Sequence, residues 1–228
     1  MKPVVKNICN ALAFLIVLPC FLVHRLASIV VDSQQVFSGW SQFLCLIPGL
    51  PGSYLRRAFF RLIFPRVGKD VCVSFGVVFS HPTAELGHTV YIGPFCCVGD
   101  VTLENDVLIG SHVSITNGSA QHGTDRLDIP IREQPGIWPR VTIGEDTWVG
   151  DRAVVMANVG KKCIIGAGAV VTQPIPDYAV AVGVPAKVVR FRKEQLDDEL
   201  TRQDTLQALH EECAEVPMIS ALCQEGKY

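Results

Sequence analysis

Charge is scarce in this sequence. Asp, Glu, Lys and Arg make up 18% of the 228 residues and nearly cancel, at a net charge of −2. A nucleic-acid binder works through a basic field that is missing here, so no nucleic-acid partner is expected. The nine cysteines (Cys9, Cys20, Cys45, Cys72, Cys96, Cys97, Cys163, Cys213 and Cys223) include no CxxC pair and no framework spacing. That excludes a disulfide scaffold and fits free thiols in a reducing cytoplasm. No small-x-small cleavage site follows the apolar N-terminal run, which counts against a secretory signal. With little charge, mean hydropathy is +0.31, high for a soluble protein.

What is abundant is regularity. Between residues 67 and 172 an aliphatic or aromatic mark recurs every six residues, in five groups of three. The groups are Val67, Val73, Phe79; Leu86, Ile92, Val98; Leu103, Ile109, Ile115; Ile143, Val149, Val155; and Val159, Ile165, Val171. Irregular spacings fall only between groups, the signature of a repeat whose coils have three sides and insert residues at one corner. The marks, with a small residue four places on (Val71, Cys96, Val113, Ala153, Cys163, Ala169), are expected to point into the prism. Glycine follows nine of the fifteen marks and is expected to supply a turn where a Cβ would be costly. The coils should stack as parallel strands ~4.8 Å apart.

This pattern resembles the hexapeptide-repeat acyltransferases. The resemblance implies a mainly β fold, a left-handed parallel β-helix of about five triangular coils, flanked by apolar N-terminal helices and a C-terminal helix. The handedness comes from the resemblance alone, because the usual crossover rule would give the other hand. The end of the repeat narrows the likeness. IGAGAVVT at 165–172 and VGVPAKVVR at 182–190 are similar to IGAGSVVT and AGVPAKVI of the galactoside and maltose O-acetyltransferase branch, which form the acyl-CoA groove there. An acetyl-CoA donor and a homotrimer are implied. The expected organisation is a membrane-associated helical region over 1–65, the β-helix over 66–192 with an inserted loop at 116–140, and a helix and tail over 193–228.

Acyl transfer from a thioester to a hydroxyl needs a base for the hydroxyl proton and donors for the carbonyl oxygen. An imidazole, with an ordinary pKa of ~6.5, suits the first task at neutral pH. His122 lies on the inserted loop, seven residues after Ile115, where the resemblance places the family's base. Ala120-Gln121-His122-Gly123 departs from the family's Gly-His-Pro, leaving Asp125 and Asp128 as alternative orienting partners. His81, His88 and His112 sit at or beside corners and read as structural. The resemblance also implies donor contacts from Asp151, Ala167, Thr172, Gln173, Lys187 and Arg190, the last two meeting the nucleotide phosphates. Gln173 replaces a common lysine. The stretch Gly93-Pro94-Phe95 lacks the family's acceptor-contacting asparagine, so neither galactoside nor maltose carries over, and Asn117 at the loop root is the alternative polar contact. No metal is expected. A zinc enzyme of the gamma carbonic-anhydrase type needs a close histidine pair, whereas His112 and His122 are ten apart. A non-catalytic β-helix scaffold is the other alternative.

Residues 8–23 are almost wholly apolar, interrupted by Asn10 and Pro19. A spanning helix needs ~20 such residues, and by the positive-inside rule Lys2 and Lys6 would then send the β-helix away from its donor. A helical hairpin that enters the membrane and returns, with Arg56, Arg57 and Arg61 near anionic headgroups, is the favoured reading, beside a buried soluble helix pair. The expected location is the cytoplasmic face of the inner membrane. A chain starting near Val67 is expected to fold alone.

Overall fold

A computed structural model describes residues 3–192. The C-terminal helix expected over 193–213 lies outside the described residues. Three helices, α1 (Pro3–Ala27), α2 (Ser33–Cys45) and α3 (Gly49–Ile63), precede a parallel β-solenoid of two- to five-residue strands.

All fifteen marks stack on one another in register. Val67 pairs with Leu86, Leu86 with Leu103 and Leu103 with Ile143 on the first face. Val73, Ile92, Ile109, Val149 and Ile165 align on the second, and Phe79, Val98, Ile115, Val155 and Val171 on the third. The solenoid runs longer than the five coils expected. Ile175 bridges Val159 and Ala181 pairs with Ile165, starting a sixth coil. Ala181 is fully buried but too small to register as an aliphatic mark. The second inward residue of each side is also buried, Cys96 and Cys163 included.

The corners differ from expectation. At every first and second corner of the five coils, the residue three past the mark has positive φ. It is usually not glycine: Asp70, Thr89, Phe95, Asp106, His112, Asp146, Arg152 and Lys162 lie between 53° and 61°. From the second coil on, its N–H donates to a carbonyl in the coil before, as Asp106 does to His88 at 2.9 Å. The glycine after the mark therefore serves close approach instead of a turn. A Cβ on Gly68 would lie 2.4 Å from the Gly87 carbonyl of the next coil.

The helices are built into the solenoid. Coil 1 has no coil beneath it, so its outward carbonyls and amides would form a bare edge. Side chains and one backbone carbonyl from the helices fill that role. Arg56 Nε donates to Val73 O at 3.0 Å, Arg57 Nη1 to Val71 O at 3.0 Å and Arg61 Nη2 to Gly68 O at 2.9 Å. Phe79 N donates to Ser41 Oγ and Gly76 N to Cys45 O, both at 2.9 Å. Phe60 and Phe64 pack against Phe79, each with ring centroids 5.1 Å away. Arg56 and Arg57 thus do not face headgroups, being 1% and 8% exposed, whereas Arg61 stays exposed. Because the edge of coil 1 holds them, residues up to Val189 form one compact unit rather than a separable anchor plus a domain. Arg190 begins a second unit.

The apolar helix is also longer than the run suggested. Residues 4–27 are long and apolar enough to cross a membrane, with only 17% of the most apolar window buried. Its polar interruptions turn sideways into the rest of the protein, although the buried His24 Nδ1 has no hydrogen-bond partner among the described residues. Lys6 pairs with Asp70, Asn10 Oδ1 accepts from Arg57, and the His24 ring meets Phe59 edge-on at 6.3 Å.

Candidate active site

Loop 116–140 is a folded arm fastened at three levels. At its root Asn117 is 2% exposed, and its amide donates to Asp100 O at 2.8 Å and Pro139 O at 2.9 Å while accepting from Asp100 N. Both amide hydrogens are committed, so Asn117 closes the loop and offers a ligand one oxygen lone pair at most. Arg140 braces the outgoing leg against Glu85 at 2.8 Å and Asp100 at 3.1 Å, and its hydrogen bond to Asp100 raises its pKa. Midway, Ile137 N donates to Ala120 O at 2.8 Å, joining the two legs. At the tip Gln134 bonds the backbone of Arg126 and Ile129.

This fastening sets His122 against Trp138, ring centroids 5.5 Å apart and 84° between planes. The imidazole is exposed and has no hydrogen-bond partner among the described residues. Asp128, one expected orienting group, is held by Arg126, which keeps its carboxyl below the usual range. Trp138 and Gln121 form one wall of a cleft of about 370 Å³. Its floor is the third face, at Val78, Cys97 and Ser114, and its opposite wall is α2 at Ser38 and Gln42. Ser80 and His81 stand at one edge, Ser80 Oγ 2.8 Å from His81 Nδ1. Sequence reasoning missed these lining residues. Ser38 and Gln42, four apart on one side of α2, were the available signal. Of the other histidines, His88 accepts the Lys69 amide at 2.9 Å and His112 stacks on Phe95 at 5.2 Å, both structural as expected.

The expected donor-side residues occupy other corners. Asp151 and Ala167 stand two past the marks Val149 and Ile165, at the corner between the second and third faces. Several side chains at this offset, on this corner or on the one between the first and second faces, accept an amide of the coil before. His88, Asn105, Asp151 and Asp177 serve Lys69, His88, Ser111 and Lys161, the Asp151 bond being 2.6 Å. On the corner of Asp151, the next coil has Ala167 at this position, and alanine has no side-chain acceptor for the Asp151 amide. The amides of Asp151 and Ala167 are left without protein acceptors among the described residues. Thr172 and Gln173 follow the third face of coil 5, on the same corner as the loop root. Lys187 is exposed in the strand Lys187–Phe191. His122 and Asn117 thus share the inserted loop, and Asp151 and Ala167 share the corner between the second and third faces, so the two pairs belong to different corners of one chain. No three His, Cys, Asp or Glu side chains converge on one point among the described residues.

Residues 140–173 match the family described as bacterial transferase hexapeptide (six repeats). A galactoside O-acetyltransferase of Escherichia coli is 31% identical over 142 residues, 59% of this chain and 68% of that protein. The chain belongs to the hexapeptide-repeat transferase family. This hexapeptide-repeat transferase is also 31% identical over 176 residues to a probable acetyltransferase, Rv3034c, of Mycobacterium tuberculosis, spanning 61% of its own length and 58% of the relative's. In fold it is similar to a galactoside acetyltransferase in complex with coenzyme A, at a TM-score of 0.52 and 22% identity, covering 71% of this chain and 84% of that one.

Proposed function

We propose that this protein transfers an acetyl group from acetyl-CoA to a hydroxyl of a sugar, in a polysaccharide or lipid-linked glycan, with His122 as general base. The observation that carries it is the fastened loop, whose Gln121 and Trp138 line the cleft and whose exposed His122 packs on Trp138 with no hydrogen-bond partner among the described residues. In the reaction the imidazole nitrogen takes the proton as the acceptor oxygen attacks the thioester carbonyl. The C–S bond then breaks, and the same proton passes to the departing thiolate.

The free amides of Asp151 and Ala167 suit the amide carbonyls of a pantetheine arm. Thr172 and Gln173, on the loop-root corner, are the polar groups proposed for the donor on that side, and Lys187 and Arg190 are the groups proposed for the nucleotide phosphates. Asn117 contributes through the shape of the loop, with one lone pair toward the acceptor. Because His122 and the Asp151–Ala167 amides sit on different corners of one prism, a homotrimer that brings one chain's loop to its neighbour's corner supports a complete site. That two relatives are named as acetyltransferases, one of galactosides, supports the acceptor class.

The helices support attachment to the cytoplasmic face of a membrane without crossing it. Lys6 pairs with Asp70 of the solenoid and His24 meets Phe59 of α3, so α1 is held near both ends with much of its apolar side left exposed. A reporter fused after Tyr228 is expected to read cytoplasmic, and an external signal there would overturn this placement.

The decisive experiment is His122→Ala. Thiol release from acetyl-CoA should fall ~10²–10⁴-fold, the loss typical of a general base, with sedimentation mass still three chains. Near-normal turnover would move the base elsewhere.

A further inference from the structure

The second face of α2 carries a feature the proposed reaction leaves unused. An apolar groove of about 460 Å³ runs between α1 and α2, lined by Cys20, Val36, Gly39, Trp40 and Phe43, with Gln35 at its side. That volume falls within the roughly 300–1,000 Å³ of single-ligand sites. Successive helical residues turn by about 100°. Val36, Gly39, Trp40 and Phe43 therefore share one stripe, while Ser38 and Gln42, which line the polar cleft and bond each other at 3.4 Å, share the next. The buried stripe of Phe37, Ser41 and Leu44 lies opposite, against the solenoid. One helix is thus the common wall of an apolar groove and a polar cleft.

The ridge between the two is lowest at Gly39. Glycine within a helix costs ~1 kcal/mol relative to alanine, so its presence needs a cause. Gly52 in α3 has one, because a Cβ there would lie 1.9 Å from Ile47 O. Gly39 has none inside the protein: a Cβ there would meet nothing within 4 Å. The space is kept open toward the outside, between groove and cleft.

We infer that the groove holds the hydrocarbon tail of an amphiphilic acceptor whose hydroxyl-bearing head lies in the cleft beside His122. This rests on the proposed acetyl transfer and narrows its acceptor to a lipid-linked glycan with a single chain over α2. Trp40 supplies a broad apolar wall for the tail, and Ser38 and Gln42 supply hydrogen bonds where the head begins. The exposed apolar side of α1, at Leu15, Ile16 and Leu22, lets such a molecule enter from the bilayer without leaving an apolar surface.

The test uses the full chain in phosphatidylcholine–phosphatidylglycerol nanodiscs and a dodecyl glucoside with a diazirine at the chain end. Photolabelling should concentrate on residues 36–43 and the Cys20 segment, and unlabelled dodecyl glucoside should compete for it. Gly39→Leu fills the groove in open space and favours the helix, so the variant should fold. It should lower groove labelling at least fivefold and leave labelling of Leu15, Ile16 and Leu22 unchanged. Groove labelling that survives Gly39→Leu, or that a diazirine phosphatidylcholine reproduces equally, overturns the inference in favour of ordinary boundary lipid. Labelling needs no turnover. A chain that labels as expected but cleaves acetyl-CoA with no acceptor would retire the acetyl-transfer reading and keep the groove.

Discussion

Two helical glycines, thirteen residues apart, should respond in opposite directions to the same added methyl group. In Gly52→Ala the new Cβ would lie 1.9 Å from Ile47 O and 2.9 Å from Arg56 Nη1. Backbone oxygen cannot absorb such an overlap, so the turn between α2 and α3 has to move. That turn receives Arg56, whose Nη1 donates to Ile47 O at 2.7 Å and Leu44 O at 2.9 Å. Overpacking of this kind costs ~1–3 kcal/mol, and a hydrogen bond from a charged donor contributes ~1.5–3 kcal/mol. Against this stands a gain of ~1 kcal/mol in helix propensity. The net expectation is a loss of ~2–4 kcal/mol, or roughly 5–15 °C in Tm for a chain of this size. Gly39→Ala meets no atom within 4 Å and should keep only the propensity gain, raising Tm by ~1–4 °C. Circular dichroism melts of both variants in the same nanodisc preparation decide the matter. A Gly52→Ala melt equal to wild type would refute a rigid turn held by Arg56. A Gly39→Ala loss would refute open space at that face.

Three further outcomes follow from the same geometry. A chain beginning at Val67 should aggregate rather than fold, because it loses the arginine, serine and phenylalanine contacts that finish coil 1; a soluble, cooperatively melting fragment on gel filtration would count against this. Burial pushes the Cys96 thiol up to about 11, while Cys97 beside it is exposed. Iodoacetamide should therefore modify Cys97 and spare Cys96 in the native protein. Since the folded pKa lies above the unfolded one, this thiol's contribution to stability is complete below about 9 and is lost as pH rises toward about 11, which alkaline melts of wild type against Cys96→Ala would show. Asn117→Ala removes three hydrogen bonds at the loop root and should cost ~1–3 kcal/mol, with faster proteolysis inside 118–138 as the readout.

The solenoid was legible because its marks are large and its period strict. Every mark found in the sequence sits on the predicted neighbour in the next coil. The sixth coil escaped because Ala181 does in that coil what Val or Ile does elsewhere. The helices were misjudged for a different reason. Arg56, Arg57 and Arg61 beside an apolar run look like a headgroup-facing cluster when only composition is visible. Their actual partners are backbone carbonyls at an edge, and no residue type announces an edge carbonyl. The loop was recognisable from its length and its prolines, and His122 from its place in it. The cleft was not, since Ser38, Ser80 and Gln121 come together only through the coiling of the third face.

The corners carry a consequence for how such a chain can change. Where a left-handed residue ties each coil to its predecessor, one extra residue would break the tie and rotate every later side chain. The third corner has no such residue except Gly118 at the loop root, and the lengths there already vary from coil to coil. New segments can be grafted at that corner without disturbing the stack, so the solenoid has a single edge along which recognition elements can be exchanged. The inserted loop is one occupant of that edge, and the short links at 80–84, 156–158 and 172–174 are vacant places for others.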